Sequence, residues 1–355
     1  MDFSLTPDQE ALRDLARRII GDTCTAERLQ AISATESATD LTLWRALGDA
    51  GLIAIGVPEV AGGGGYGWLE AAIVLGEIGR VAAPLPGLAV IALAAPALAA
   101  VHDTHPELLD GVFTGERVVT AAIHEPQGDP FAPTVSVLNG RLTGTKVCVS
   151  HGLSATRFVV TASDGLYAVE ADAPGATIVG QDTTSGVPDA MVTFDGAPAV
   201  RIGGTDETVA LLQRGQSAAC VMVAASCQTA LTLTAEYARS RHQFDRPIAS
   251  FQAVSQRAGD AYIDTEAVRL TAWQAAWRLD QGLPCDEALL TAKFWAAEGG
   301  WRVMHAAHHI HGGVGVDRSY PLHQHFLNHK QLELQFGSAT PSLQRLGRLL
   351  ANTPA

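Results

Sequence analysis

The sequence predicts an α+β chain in three successive parts: an N-terminal helical domain, a middle β-barrel or sandwich domain, and a C-terminal four-helix bundle. Three observations carry this reading. Apolar residues recur at helical spacing through residues 1–116, short β-branched segments separated by turn residues fill 117–203, and long helical patterns run through 204–355.

The elements follow in order. Thr6 and Pro7 predict a cap and a helix in which Ala11, Leu12, Leu15 and Ala16 share a face. Residues 41–52 repeat that pattern and end at Gly51, a C-cap signal. The glycine-rich run 57–67 reads as a mobile loop, and helical periodicity resumes over 68–79 and again after Pro86. Strands are expected at 118–123, 134–138, 141–149, 157–162 and 166–170, with turns at Asn139, Gly140 and at Ser163, Asp164, Gly165. After Gly203 and Gly204 helices are expected at about 208–239, 251–281 and 285–309, with short ones following Pro321 and Pro341.

Composition narrows the function classes. Hydrophobic residues make up 47% of 355, which suits a large globular core and excludes a disordered chain. A formal net charge of −13 argues against nucleic acid or an anionic membrane as partner. The five cysteines are scattered and form no C-x-x-C pair, so they read as buried thiols of a reducing compartment. Residues 81–101 and 215–235 lack charge over about the length of a membrane span, but prolines in the first and small polar residues in the second favour core helices. No basic segment leads into an apolar one at the N-terminus, so the expectation is a cytoplasmic protein with no signal peptide.

Three features invite chemistry. The run Gly62 to Gly67 lacks the lysine and hydroxyl residue of a phosphate loop, so a connecting loop is the better reading. His305, His308, His309 and His311, with His323, His325 and His329, have helical spacings that could present imidazoles to a metal. No cysteine or carboxylate accompanies them at ligand spacing, which favours hydrogen-bonding and phosphate-contacting roles over a metal site. The segment 237–252 holds Arg239, Arg241 and Arg246 around a turn, which suits either a surface corner or a pyrophosphate.

Arg241, Phe244, Asp245, Pro247, Ile248, Phe251 and Gln252 resemble the R-x-x-F-G-x-P-I-x-x-F-Q motif of the acyl-CoA dehydrogenase family. His309, Gly312, Gly313 and Gly315 resemble its Q-x-x-G-G-x-G motif, and Pro58, Glu59, Gly62, Gly63 and then Leu75, Gly76, Glu77 match in order near the N-terminus. The resemblance spans essentially the whole chain. It implies the acyl-CoA dehydrogenase fold, an FAD cofactor, and α,β-dehydrogenation of an acyl-CoA thioester. It further implies that Arg241, Phe244, Gln252, His309, Gly312 and Gly313 hold the adenosine and pyrophosphate end of a flavin whose ring sits in the neighbouring subunit.

Departures from the family pattern are as informative. The family's catalytic glutamate near the C-terminus falls on Ser338 when Thr340, Leu343, Gln344, Arg345 and Leu346 are aligned with it, and serine is far too weak a base. The alternative position on the long helix, around 212–216, holds no carboxylate either. The segments that wrap the flavin ring are reduced to His124, Glu125, Pro126, Gln127, Gly128, Asp129 and to Val147, Cys148, Val149, Ser150. The chain therefore looks most like the base-lacking subunits of actinobacterial α2β2 dehydrogenases acting on steroid side-chain CoA thioesters. That implies a homologous partner carrying the glutamate, an acyl-CoA substrate, and an electron-transfer flavoprotein or similar acceptor. The competing expectations are a self-sufficient dehydrogenase with Glu333 as a relocated base, and a scaffold that binds no flavin.

Overall fold

A capping box starts the chain's first helix: Thr6 Oγ1 accepts from the Gln9 amide at 3.3 Å while the Gln9 side chain accepts from the Thr6 amide at 3.0 Å. The computed structural model describes residues 3–187 and 189–352. Helices α1 (Pro7–Gly21), α2 (Ala26–Ser33), α3 (Leu41–Asp49) and α4 (Trp68–Arg80) form the N-terminal part. A π-helical stretch, Leu88–Ala94, follows and leads into α5 (Ala95–Ala99), where the periodicity after Pro86 predicted an ordinary helix. The glycine run, expected as a mobile loop, is folded tightly back on itself. The amides of Gly63, Gly64 and Gly65 donate to the carbonyls of Pro58, Ala54 and Val57.

The middle region is a sandwich of two four-stranded sheets. Its strands are β1 (Val118–Ala122), β2 (Ser136–Leu138), β3 (Arg141–Ser150), β4 (Ala155–Ala162), β5 (Gly165–Glu170), β6 (Ala176–Gln181), β7 (Asp189–Pro198) and β8 (Val200–Gly203). The last three were not singled out by the sequence pattern. One sheet runs β1-β4-β5-β8 and the other β2-β3-β7-β6; β1 and β4 pair in parallel and the other pairs are antiparallel. The first sheet is buried on both faces, and period two decides which side chain goes where. Phe158, Val160, Tyr167 and Val169 fill the sandwich interior, while Val159, Leu166, Ala168 and Ile202 join the core of the helices.

The C-terminal part is built on α6 (Thr205–Ser240), followed by a hairpin β9 (His242–Gln243) and β10 (Arg246–Pro247), then α7 (Gln252–Asp280) and α8 (Asp286–His311). Two shorter helices, α9 (Leu322–Leu334) and α10 (Ala339–Asn352), lean on them, α10 along α8. α10 begins before Pro341, which lies in the first turn where a missing N–H costs nothing. Among the described residues α6 is the one helix long and apolar enough to cross a membrane, and most of its apolar window is buried among α4, α7 and α8. All five cysteines are free thiols, but only Cys220, Cys227 and Cys285 are buried as expected. Cys24 is half-buried, and Cys148 is exposed because a bulge between β3 and β7 turns it outward.

α4 meets α6 with almost no spacer. A Cβ at Gly79 would stand 2.5 Å from the carbonyl oxygen of Met222, a backbone atom that cannot step aside. Gly79→Ala should therefore lower the unfolding free energy by about 1–3 kcal/mol. Gly347→Ala, on α10 with nothing within 4 Å, should raise it by about 0.5–1 kcal/mol. Urea unfolding of both variants followed by circular dichroism checks the pair, and an unchanged midpoint for Gly79→Ala would contradict the close approach.

Candidate functional site

Two places carry the residues singled out from the sequence, one facing outward and one inward. The outward place is the corner between α6 and α7. Arg241 caps α6, its amide donating to Tyr237 O at 2.8 Å, and its carbonyl accepts from Ile248 across the hairpin at 2.8 Å. Phe244 and Asp245 form the two-residue hairpin turn with φ of 52° and 62°, the paired left-handed conformation that such tight turns require. The turn leaves the Phe244 ring 86% exposed. Arg246 is engaged, its guanidinium 4.1 Å above the Phe251 ring. The Arg241 guanidinium has no hydrogen-bond or ion-pair partner among the described residues, and Gln252 opens α7 with its side chain exposed.

The end of α8 is held beside this corner. His311 stacks on Tyr237 with ring centroids 4.4 Å apart, one helical turn before Arg241, and its Nε2 lies 3.1 Å from the Tyr320 hydroxyl. Gly312 follows at φ 59° and ψ −135°, backbone that only glycine adopts without strain. A Cβ at Gly312 or Gly313 would meet nothing within 4 Å, so this backbone stands open to a ligand or another chain. His309 is exposed and makes no hydrogen bond among the described residues, whereas His305, His308 and His311 donate Nδ1–H to the carbonyls of Trp301, Met304 and Ala307. His311 was one of a cluster in the sequence, and nothing local marked it as the residue that joins α8 to α6.

The inward place lies where α9 ends between α6 and the middle domain. Lys293 is 1% exposed, and its Nζ donates to Leu332 O at 3.0 Å and Glu333 O at 2.8 Å. Burial pulls its pKa down to about 8. The chain then turns through Phe336 at φ 59° and Gly337 at φ 94°. Phe336 is 2% exposed and fills a notch that Gly215 provides: a Cβ at Gly215 would stand 2.4 Å from the ring. Its other side faces His124, ring centroids 5.9 Å apart. Ser338 sits just beyond, half-buried, its carbonyl accepting from the Ser342 amide and hydroxyl at the start of α10. Glu333 is turned to Lys330, with both carboxylate oxygens 3.0 Å from Nζ.

Two cavities flank this turn. One of about 330 Å³ is lined by His124, Cys148, Asp182, Asp189, Leu334 and Gln335. A smaller one of about 100 Å³ is lined by Leu85, His151, Val187 and Met222. Asp189 and Gln331 border both, with Gln331 Nε2 donating to Asp189 Oδ1 at 3.4 Å, and Gln335 Nε2 donates to Ser150 Oγ at 3.1 Å. Burial pushes the Asp189 carboxyl up to about 6 and, helped by the ammonium groups of Lys146 and Lys293, pulls His124 down to about 4.

The reduced middle-domain segments are tied down within the chain. Lys146 is fully buried on β3, its Nζ 2.7 Å from Glu125 Oε1, 3.0 Å from Ile123 O and 2.9 Å from Thr161 Oγ1. Glu125 also accepts from the Thr134 and Val135 amides at 2.9 and 3.1 Å. Asp129 pairs with Arg345 of α10, whose guanidinium lies 3.5 Å over the Phe131 ring.

These two places suit a flavin dinucleotide differently. The corner offers a free guanidinium, an exposed aromatic face and open glycine backbone, which match a pyrophosphate and an adenine. The inward cavity sets the carboxyl groups of Asp182 and Asp189 beside the hydroxyls of Thr183 and Thr184, the Gln331 amide and a neutral His124, and it carries no aromatic at Cys148. The corner fits its half of the cofactor, and at the cavity Cys148 stands where the resemblance leads one to expect an aromatic beside the ring.

Comparison with known proteins follows the same lines. Residues 6–103 match the family described as "Acyl-CoA dehydrogenase, N-terminal domain" and residues 203–348 match "Acyl-CoA dehydrogenase, C-terminal domain". The chain is 40% identical over 375 residues to the acyl-CoA dehydrogenase FadE27 of Mycobacterium tuberculosis, with 100% of both chains covered. It is similar to a chain of the ChsE4–ChsE5 complex from M. tuberculosis, with a TM-score of 0.93, 39% identity and 100% of both chains covered. A chain of the Tcur3481–Tcur3483 steroid ACAD, solved as a G363A variant, superposes with a TM-score of 0.90 at 39% identity, covering 97% of this chain and 98% of that one.

The buried carboxyl makes a prediction. A folded-state pKa raised to about 6 means that stability falls as pH rises from the unfolded value of 3.8 through about 6, because only the folded state keeps the proton there. Asp189→Asn lacks this dependence. From about pH 5 to about pH 7 its stability relative to the parent should improve by on the order of 1 kcal/mol, read from urea midpoints of both proteins at each pH. A difference that does not change with pH would show that the carboxyl is not held in its protonated form.

Proposed function

The chain belongs to the acyl-CoA dehydrogenase family, and on that premise we propose that it is one half of a heteromeric FAD-dependent dehydrogenase. In this reading it holds the adenosine and pyrophosphate end of FAD, and a homologous partner supplies the ring pocket and the glutamate that takes the α-proton. The observation that carries it is the contrast between the two places. The outward corner keeps an Arg241 guanidinium with no partner among the described residues and open backbone at Gly312 and Gly313, while the inward turn packs Phe336 against α6, and Ser338 just beyond it brings no carboxylate of its own.

Arg241 neutralises pyrophosphate oxygens, and the amides at the start of α7 add donors beside Gln252. Phe244 covers an apolar face of the adenosine, His309 donates to the phosphate or ribose, and Gly313 lets the backbone approach. FAD when bound supplies the acceptor for the β-hydride. The substrate class is an acyl-CoA thioester, specifically a steroid side-chain CoA ester, and the acceptor downstream is an electron-transfer flavoprotein or a similar carrier. Likeness to a subunit of a two-component complex and to a steroid dehydrogenase supports an α2β2 assembly that is active only as a whole. Against a relocated base stands the pairing of Glu333 with Lys330, away from both cavities. Against a scaffold without flavin stands the unpaired corner, which packing alone does not require.

Co-expression with the adjacent homologous subunit tests the reading. Flavin absorbance should be retained only by the pair, at one FAD per two unlike chains, together with CoA-ester dehydrogenation. Flavin and activity from this chain alone would sink it. In the pair, Arg241→Ala removes a charge-assisted contact and should weaken FAD retention about 10–100-fold, measured as flavin remaining after desalting. Unchanged occupancy would remove Arg241 from the site.

A further inference from the structure

One buried imidazole touches both halves of the outward corner. His311 is the last residue of α8 and is 3% exposed, and each part of its ring engages a different element. The ring face lies on Tyr237 of α6, with centroids 4.4 Å apart and planes inclined by 22°. Nδ1 meets the Ala307 carbonyl at 2.8 Å, and a carbonyl only accepts, so Nδ1 carries a proton. Burial pulls the pKa below the ordinary histidine value, which leaves Nε2 bare. Nε2 therefore accepts from the Tyr320 hydroxyl at 3.1 Å.

Each contact fixes a point that the corner uses. The Tyr237 carbonyl accepts from the Arg241 amide at 2.8 Å, so the stack sets the capped end of α6 against the end of α8. Residues 312–319 leave α8 at His311 and return to it through Tyr320, so one ring holds both ends of the segment that carries Gly312 and Gly313. Asp317 stiffens the return, accepting from the Ser319 amide at 2.9 Å and from its hydroxyl at 2.8 Å. Gly315 lies buried beneath the ring's own stem, where a Cβ would stand 3.2 Å from His311 Cβ. The groups held in this way remain open. The Arg241 guanidinium has no partner among the described residues, and a Cβ at Gly312 or Gly313 would meet nothing within 4 Å. A phenylalanine at 311 could supply the stack, but only an imidazole also offers an acceptor to Tyr320.

We propose that His311 is a positioning residue for the phosphate end of the dinucleotide, fixing the spacing between Arg241 and the Gly312–Gly313 backbone through Tyr237 and Tyr320. The proposal rests on the shared-site reading above and adds to it a residue set behind the groups that face the ligand.

The test measures FAD release from the full chain co-purified with its homologous partner, followed as the rise in flavin fluorescence on dilution. Tyr320→Phe keeps the ring and removes one hydroxyl. Release should quicken about fivefold, the worth of one neutral hydrogen bond. His311→Phe keeps the stack and removes the acceptor, and adding Tyr320→Phe to it should change nothing further. His311→Gln restores an acceptor for Tyr320 and should bring release back to within about twofold of the parent. With Arg241→Ala already present, His311→Phe should cost less than it does alone, because a contact already removed cannot be mispositioned. Tyr320→Phe carries the test even where a change at 311 disturbs folding. Release unaffected by Tyr320→Phe, in complexes that do lose FAD faster on Arg241→Ala, overturns this proposal alone. So does a His311→Gln variant no better than His311→Phe, or a His311→Phe effect that multiplies fully with that of Arg241→Ala, the mark of a general loss of structure. Release indifferent to Arg241→Ala overturns the shared-site reading and this proposal with it.

Discussion

A lysine ammonium with almost no solvent contact organises the inward half of this protein. Taking a charge out of water costs several kcal/mol, and Lys293 recovers part of that from two carbonyls at the end of α9, where the helix dipole is negative. Just beyond the turn of α9 that faces Lys293, the chain leaves through the left-handed pair Phe336 and Gly337, and Phe336 lies in the notch at Gly215. Leu334 and Gln335 at the end of α9 line the larger cavity, and α10 begins a few residues further on.

The middle domain answers with a second buried ammonium. Lys146 and Glu125 pin the loop after β1 to β3, and Asp129 and Arg345 pin its far side to α10. Each link alone is modest; together they close the loop within this chain. The two-faced sheet β1-β4-β5-β8 completes the arrangement, since one of its faces belongs to the sandwich core and the other to the helices. A domain seated in this way positions the cavity against α9 through packing, with Gln331 to Asp189 and Gln335 to Ser150 as the polar struts.

The outward corner obeys the opposite logic. Its exposed Phe244 meets Phe251 edge-on and the Arg241 guanidinium has no partner among the described residues, so both add little to the stability of the isolated chain, and the double left-handed turn at Phe244 and Asp245 works against it. Side chains held in that state suit the shared site proposed for this corner. The functional asymmetry between corner and cavity therefore has a physical expression: one is unsatisfied toward the outside, the other is closed by residues of its own chain.

Much of this was legible in the sequence. The succession of helices, a β unit and long helices, the turn within 237–252 and the glycines at 312 and 313 are local signals, set by side-chain periodicity and backbone freedom over a few neighbouring residues. The lack of a carboxylate at the expected base positions was equally plain. Other features were decided only in three dimensions, because they join residues far apart in the chain. Phe336 meets Gly215 and His124, Lys293 meets the end of α9, and His311 meets Tyr237. Nothing near Phe336 in the sequence says that it, rather than Ser338, turns inward, and nothing near Asp189 says that its carboxyl is buried. Periodicity determined the elements and the residue types at the corner; the meeting of distant elements decided which polar groups were paired and which were stranded.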